Sequence, residues 1–125
     1  MLKAIVPNIM VESVGETVKF YEEKLKFSII MSVPKDDGLV WAMIGKDEAV
    51  LMIQQKDNLM AEYPSLQTEE LKPSLGLYFK TDTLEKDFND LKYTVKVAAA
   101  LHKTTYDSEE FAIFDNNGNI LIFGE

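Results

Sequence analysis

The spacing of apolar residues changes period along the first half of the chain. Ala4 to Val11 alternates as a strand with one core face does. Ser13 to Glu16 has the Ser-x-x-Glu pattern of a helix start, and apolar residues follow at helical spacing until the helix is predicted to end near Lys26. Three apolar runs, separated by the turn-like stretches PKDDG and GKDE, then predict strands over Phe27 to Val33, Leu39 to Ile44 and Ala49 to Gln54.

The second half of the chain repeats this order of strand, helix and three strands. A strand is predicted over Leu75 to Thr81, and a helix with apolar positions at Leu84, Phe88 and Leu91 follows a cap at Asp82 or Thr83. Three further strands are predicted near Thr94 to Ala100, Phe111 to Phe114 and Ile120 to Phe123. The last two are joined by an Asn- and Gly-rich turn, so they form a hairpin that we expect to complete the second half.

A single offset of seventy residues relates the two halves. It maps Ser13 to Thr83, Val14 to Leu84, Val18 to Phe88, Leu51 to Leu121 and Ile53 to Phe123. Such self-similarity indicates two copies of one supersecondary unit. We therefore predict one α+β domain made of two βαβββ modules, residues 1–55 and 74–125. A polar linker over residues 56–73, either irregular throughout or containing a short helical turn, joins them.

Composition narrows the classes of function. With 125 residues, 46% of them hydrophobic, the chain is long enough for one domain with a real core. A net charge of −8 and the absence of Arg argue against nucleic-acid binding and disfavour an anionic substrate. No segment predicts a membrane span or a signal peptide, so a cytoplasmic protein is expected. Without cysteine, the chain has no disulfides, thiolate nucleophiles or cysteine metal sites.

Two stretches of the chain resemble the vicinal oxygen chelate superfamily, which includes glyoxalase I, extradiol dioxygenases and the fosfomycin and bleomycin resistance proteins. VESVGETVKFYEEKLKF, from Val11 to Phe27, is similar to the family's strand-to-helix stretch, with Lys26 in place of the glycine of its "LGF" ending. EFAIFDNNGNILIFGE is similar to the family's "F-x-DPDGN-hydrophobic" hairpin, with Asn116 in place of Pro. The resemblance implies that the sheets of the two modules curl into a cup with the helices outside and a ligand cavity inside.

The resemblance also locates the family's metal ligands on this chain. Metal-dependent members use His or Gln on the first strand of each module and Glu on the last. Those positions are Val6 and Met52 in the first module and Gly76 and Ile122 in the second. None of these residues offers imidazole or carboxylate. We therefore expect no metal, no cofactor and no catalytic residue, and the similarity is greatest to the metal-free bleomycin-resistance-like branch.

Alternation along the strands selects candidate ligand-binding residues on the faces away from the helices. They are mostly apolar or aromatic, which suits a flat or partly apolar ligand. The candidates are Asn8, Met10, Trp41, Met43, Met52, Gln54, Tyr78, His102 and Ile122. The same apolar side chains would equally fill a small core or a dimer interface, and a single His such as His102 is more often structural.

The leading hypothesis is non-catalytic binding of a small, partly apolar or cationic molecule, by a protein expected from the resemblance to be a homodimer. Acidic residues at Asp36, Asp37, Asp107, Glu109 and Glu110 form either a rim that attracts a cation or a solvated surface. Two alternatives stay open. One is a lyase or dioxygenase-type enzyme with an atypical site drawn from His102, Tyr106, Gln54 and Glu110, and the other is a protein-interaction or regulatory module.

Overall fold

Strands and helices follow one another in the same order in both halves of the chain. A computed structural model, which describes all of residues 1–125, divides into two units, Met1–Leu71 and Lys72–Glu125. The first contains β1 (Asn8–Val11), α1 (Val14–Leu25), β2 (Ser28–Lys35), β3 (Gly38–Lys46), β4 (Ala49–Gln55), α2 (Lys56–Glu62) and a 3₁₀ turn (Pro64–Leu66). The second contains β5 (Gly76–Lys80), α3 (Leu84–Leu91), β6 (Val97–Lys103), β7 (Glu109–Phe114) and β8 (Ile120–Gly124). The predicted α+β fold of two βαβββ modules is confirmed.

Sheet one belongs to the first unit and has the strand order β1-β4-β3-β2. β1 is parallel to β4, and the other neighbours are antiparallel. Helix α1 packs against β3 and β4, and the side chains between them are buried. They come from α1 at Val14, Thr17, Val18, Tyr21 and Leu25, and from the strands at Ile9, Val11, Ala42, Ile44, Leu51 and Ile53. We call the face of sheet one opposite α1 its open face.

Both ends of α1 follow from local sequence. The hydroxyl of Ser13 accepts a hydrogen bond from the backbone N–H of Glu16 at 3.2 Å, as the predicted N-cap requires. At the other end Lys26 has φ 63°, in the left-handed region, and the backbone N–H groups of Lys26 and Phe27 both donate to the carbonyl of Tyr21. This is a Schellman-type ending, which is usually built with glycine.

Sheet two belongs to the second unit, with the strand order β5-β8-β7-β6, and an aromatic core joins it to α3. The ring centroid of Phe88 in α3 lies 5.2 Å from that of Phe111. The Phe111 ring stacks on Phe123 with a centroid distance of 4.8 Å. Phe79 stacks on the same Phe123 at 5.1 Å. Because these rings fill the α3 side, the alternate residues of each strand face away from the helix, on what we call the open face of sheet two.

The predicted hairpin between β7 and β8 is present and is closed by a buried aspartate. One carboxylate oxygen of Asp115 accepts hydrogen bonds from the backbone N–H groups of Asn117 at 2.8 Å and Asn119 at 2.9 Å. Gly118 adopts a φ of 84°, which glycine tolerates without steric cost. This loop sets the register of the last strand.

The offset of seventy found in the sequence is reproduced in the strand register. Asn8 pairs with Met52 and Ile9 with Ile53, and seventy residues later Tyr78 pairs with Ile122 and Phe79 with Phe123. The two halves therefore place equivalent residues at equivalent sheet positions. None of the helices combines the length and the apolar character that spanning a membrane requires.

Several predicted boundaries were wrong. β1 begins at Asn8 rather than Ala4, because β4 does not pair with the preceding residues as a ladder and Pro7 has no N–H to donate. The sixth strand covers Val97–Lys103 rather than Thr94 to Ala100, since the chain turns after α3 over residues 92–95. The stretch predicted as a polar linker with a short helical turn contains α2 and the 3₁₀ turn, and α2 packs against β1 and β4.

Candidate functional site

The open face of sheet one is built from two rows of side chains that cross all four strands. Neighbouring strands place one residue of each row beside the next. The first row, in strand order, contains Asn8, Met52, Met43 and Met31. The second contains Met10, Gln54, Trp41 and Val33. Six of the nine candidate ligand-binding residues therefore lie together on this face.

The two rows form a methionine-rich apolar surface around a single tryptophan. Four of the six methionines of the chain and its only Trp belong to them. Trp41, Met43 and Met52 are half-buried, while Met31 and Val33 are 58% and 45% exposed at the edge strand β2. Thioethers adapt to the shape of an apolar partner, and an indole ring offers a flat stacking surface. The surface can therefore hold an apolar ring without fixing its outline closely.

Three amide side chains form a hydrogen-bonded chain at one end of this surface. Asn8 Nδ2 donates to Gln54 Oε1 at 2.8 Å, and Gln54 Nε2 donates to Asn58 Oδ1 of α2 at 2.6 Å. Gln54 is buried, so its amide is matched by partners rather than by water. Asn8 is exposed, so the second N–H of its amide and its carbonyl oxygen Oδ1 remain accessible to a polar group of a ligand.

The open face of sheet two has the same two rows but a different chemistry. Its first row contains Tyr78, Ile122, Ala112 and Ala99. The second, which we call the polar row, contains Lys80, Gly124, Glu110 and His102. Residues 78, 80, 122 and 124 correspond by the offset of seventy to Asn8, Met10, Met52 and Gln54. An apolar and amide surface in the first unit thus corresponds to an ionisable one in the second.

The side chain of Tyr78 starts in the first row of sheet two and extends over Gly124 into the polar row. A Cβ atom at Gly124 would overlap the Tyr78 hydroxyl and would lie 3.3 Å from Cγ of Glu110, so the missing side chain makes room for the phenol beside the carboxylate. The pKa of Tyr78 is raised above its ordinary value of 10.0, first by desolvation and then by hydrogen bonding to Glu110 and by the charge of that carboxylate. At neutral pH the phenol is therefore protonated and acts as a donor.

His102 lies at the β6 end of the polar row, opposite Glu110. Its Nδ1 atom is 2.7 Å from the carbonyl oxygen of Ala100, which can only accept, so Nδ1 carries the proton of this hydrogen bond. Nε2 is left for contact with solvent or a ligand, since the side chain is exposed. The imidazole is therefore oriented but not enclosed.

The residues at the metal positions that the resemblance implies do not fit a metal site. Val6 lies two residues before β1, and Met52, Gly76 and Ile122 occupy strand positions without an imidazole or carboxylate. No group of three or more His, Asp or Glu residues is placed to hold a metal ion. Divalent metals of this kind need nitrogen or oxygen donors, so the family's metal site has no counterpart in these residues.

The structure places the nine candidate residues on two separate faces. Asn8, Met10, Trp41, Met43, Met52 and Gln54 lie on sheet one, and Tyr78, His102 and Ile122 lie on sheet two. The candidate list lacked Met31, Val33, Asn58 and Glu110, which contact or extend these groups. Alternation of β2 against β3 was the available signal for Met31 and Val33. Tyr106, named for an atypical enzyme, is 89% exposed in the β6–β7 loop and outside both faces.

Comparison with known proteins identifies similar folds and a matching family model. The model described as Glyoxalase/Bleomycin resistance protein/Dioxygenase superfamily matches residues 3–123. No curated protein sequence matches the chain. A protein of unknown function from Agrobacterium tumefaciens str. C58 superimposes with a TM-score of 0.77 at 19% identity, covering 100% of this chain and 94% of that one.

Two other solved structures carry names that bear on the family. A glyoxalase/bleomycin resistance protein/dioxygenase family enzyme from Burkholderia phytofirmans PsJN has a TM-score of 0.74 at 15% identity, covering 94% of this chain and 93% of that one. A bleomycin resistance determinant encoded on the transposon Tn5 has a TM-score of 0.73 at 17% identity, covering 99% and 98%. At such identities the likeness establishes the fold and leaves the ligand open.

Proposed function

The chain belongs to the Glyoxalase/Bleomycin resistance protein/Dioxygenase superfamily, and from this premise we propose that it binds a small, partly apolar molecule without transforming it. The ligand lies on the open face of sheet one, and retention of the ligand by the protein is the mechanism. The observation that carries the proposal is the cluster of Trp41 with Met10, Met43 and Met52 on the face of sheet one opposite α1.

Apolar contact supplies most of the binding free energy in this proposal. Removing apolar surface from water contributes roughly 25 cal/mol per Å² before the costs of association are subtracted. Stacking on Trp41 adds orientation, because offset and edge-to-face ring arrangements are preferred over other geometries. The exposed amide of Asn8 is held in place by Gln54. It favours those apolar ligands that also have a matching hydrogen-bond donor or acceptor.

Fluorescence of Trp41 tests the proposal directly, because it is the only tryptophan. Titration with the neutral apolar probe N-phenyl-1-naphthylamine is expected to quench Trp41 by energy transfer and to enhance the probe's own emission. Replacing Met43 by Gln puts an amide in the middle of the face, and we expect it to weaken probe binding about tenfold, since burying an unmatched polar group costs about 1–3 kcal/mol.

Leu66→Gln provides the matched control. Leu66 is also an apolar residue, 46% exposed, but lies in the 3₁₀ turn outside the sheet. Its change to Gln is expected to leave probe affinity within a factor of two. Equal weakening by both variants, or unquenched Trp41 throughout the titration, would contradict binding on this face.

A homodimer is the second part of the proposal. It is supported by β2, the edge strand of sheet one, in which every residue is exposed and which presents large apolar side chains on both faces. Ile29, Ile30, Met31 and Val33 are 42–58% exposed. An exposed apolar edge strand is a site for pairing with another chain. Cytoplasmic location, an atypical enzyme and a protein-interaction module stay predictions from the sequence.

A further inference from the structure

The charge of Glu110 has no cationic partner within the chain. The three ion pairs of the structure join Lys56 to Glu12, Lys86 to Asp90 and Lys103 to Asp107. Glu110 is half-buried in the polar row, and its neighbour across β8 is Gly124, which has no side chain. A partly desolvated carboxylate normally has a matching charge or several hydrogen-bond donors.

The phenol of Tyr78 satisfies only part of the hydrogen-bonding capacity of the Glu110 carboxylate. An ionised carboxylate has about four acceptor positions, and the phenol of Tyr78, which lies beside Glu110 over Gly124, can fill only one of them. The Tyr78 side chain is 50% exposed, so its ring remains accessible where the hydroxyl and Glu110 meet over Gly124. A cation held near the face of an aromatic ring gains electrostatic attraction in addition to any ion pair. Carboxylate and ring therefore offer complementary contacts to one positive group.

We propose that Glu110 and Tyr78 bind a cationic nitrogen, of the alkylammonium class, on the open face of sheet two. The inference goes beyond the proposed function, because it places a second site on the second unit and does not depend on binding at sheet one. The carboxylate pairs with the ammonium, and the Tyr78 ring packs against its carbon substituents. Lys80 and His102 occupy the two ends of the polar row, so the positive group is centred at Glu110 rather than spread along the row.

The general charge of the protein also favours cations, and this field has to be separated from the local site. A net charge of −8 concentrates any cation near the surface, with a strength that falls as salt is added. A substitution of Glu109 separates the effect of the net charge from that of the local site. Glu109 precedes Glu110 on β7, its side chain has the opposite strand parity, and it is exposed. Glu109→Gln and Glu110→Gln each remove one negative charge, but they remove it from opposite faces of the sheet.

The experiment compares a cation with its neutral analogue. Protein labelled with ¹³C in its tyrosine rings is titrated with 2-phenylethylammonium and, separately, with 2-phenylethanol, and the ring signals of Tyr78 are followed by NMR. We expect the ammonium to shift Tyr78 and to bind about tenfold more tightly than the alcohol, as an ion pair with a cation–π contact gives in a partly exposed site. Glu110→Gln should abolish this preference, and Glu109→Gln should change affinity less than twofold.

Three outcomes would overturn the assignment of the cation site. They are equal affinity for the ammonium and the alcohol, equal weakening by both Gln variants, and no shift of Tyr78 at millimolar ammonium. The Trp41 titration on the same samples reports separately on the proposed function. Quenching of Trp41 without discrimination at Tyr78 removes the cation site alone. Discrimination at Tyr78 with an unresponsive Trp41 removes apolar binding on sheet one and keeps the cation site.

Discussion

At the scale of single residues, the absence of a side chain at Gly124 decides the character of sheet two. Because the backbone is bare there, the Tyr78 phenol reaches Glu110 across the strand between them. Position 54, seventy residues earlier, carries a buried Gln that bonds to Asn8 instead. The same sheet position thus holds an amide network in one unit and an acid–phenol pair in the other.

The Tyr78–Glu110 pair predicts a measurable change in ionisation. Since desolvation and Glu110 both favour the neutral phenol, the pKa of Tyr78 is raised, and Glu110→Gln should lower that pKa toward its ordinary value. The pair's contribution to the free energy of unfolding is present below pH 10 and is lost as pH rises through the raised pKa. NMR titration of the tyrosine ring signals measures the shift, with Glu109→Gln as the control. An unchanged Tyr78 pKa in Glu110→Gln would contradict the pairing.

The residues of sheet one were predictable from the sequence, whereas the polar row was not. Alternation on β1, β3 and β4 is regular, so the parity of Met10, Trp41 and Met52 follows directly from spacing. Between β6 and β7 the register shifts twice, and only after both shifts does His102 stand opposite Glu110. A β-bulge moves every later side chain of the strand to the opposite face of the sheet. The apolar pattern of β6 does not show where such a bulge occurs.

At the scale of elements, the end of α1 contains a residue poorly suited to its conformation. Lys26 has φ 63°, a region that costs a residue with a Cβ atom roughly 1–2 kcal/mol. The glycine that the resemblance implies at this position would adopt the same conformation without that cost.

Lys26→Gly is therefore expected to stabilise the protein by about 1 kcal/mol, as relief of the left-handed Cβ exceeds the added freedom of the unfolded chain. Lys26 also donates from Nζ to the carbonyl of Glu23 at 2.9 Å, a bond the substitution removes. Lys26→Ala removes the same bond while keeping Cβ, and should not stabilise. Urea denaturation of both variants measures their free energies of unfolding. Equal stabilisation by Lys26→Ala and Lys26→Gly would show that relief of the backbone conformation is not the cause.

Element types were predicted better than element boundaries. The capping residue Ser13 and the Asn-Gly turn fixed α1 and the last hairpin, because each signal has a direct backbone partner. The start of β1 depended on pairing rather than on alternation, since the residues before Asn8 alternate as well but have no continuous ladder with β4. Pairing is a non-local property, and hydrophobic spacing does not report it.

At the scale of the whole molecule, the exposed edge strand β2 predicts self-association. Sedimentation velocity at increasing concentration should show a monomer–dimer equilibrium. Met31→Lys should weaken it at least about tenfold, because a charge replaces an apolar side chain at the pairing edge. Leu66→Lys changes the net charge equally at a position outside the sheet and should have little effect. A chain that sediments as a monomer at every concentration would contradict the homodimer.

The shared register of Asn8–Met52 and Tyr78–Ile122 separates the pairing of the backbone from the chemistry of the surface. The ladder hydrogen bonds come from the backbone, so the same ladder carries methionine and amide side chains in one unit and ionisable side chains in the other. The chemistry of each open face can therefore be changed by substitution without altering the strand pairing beneath it.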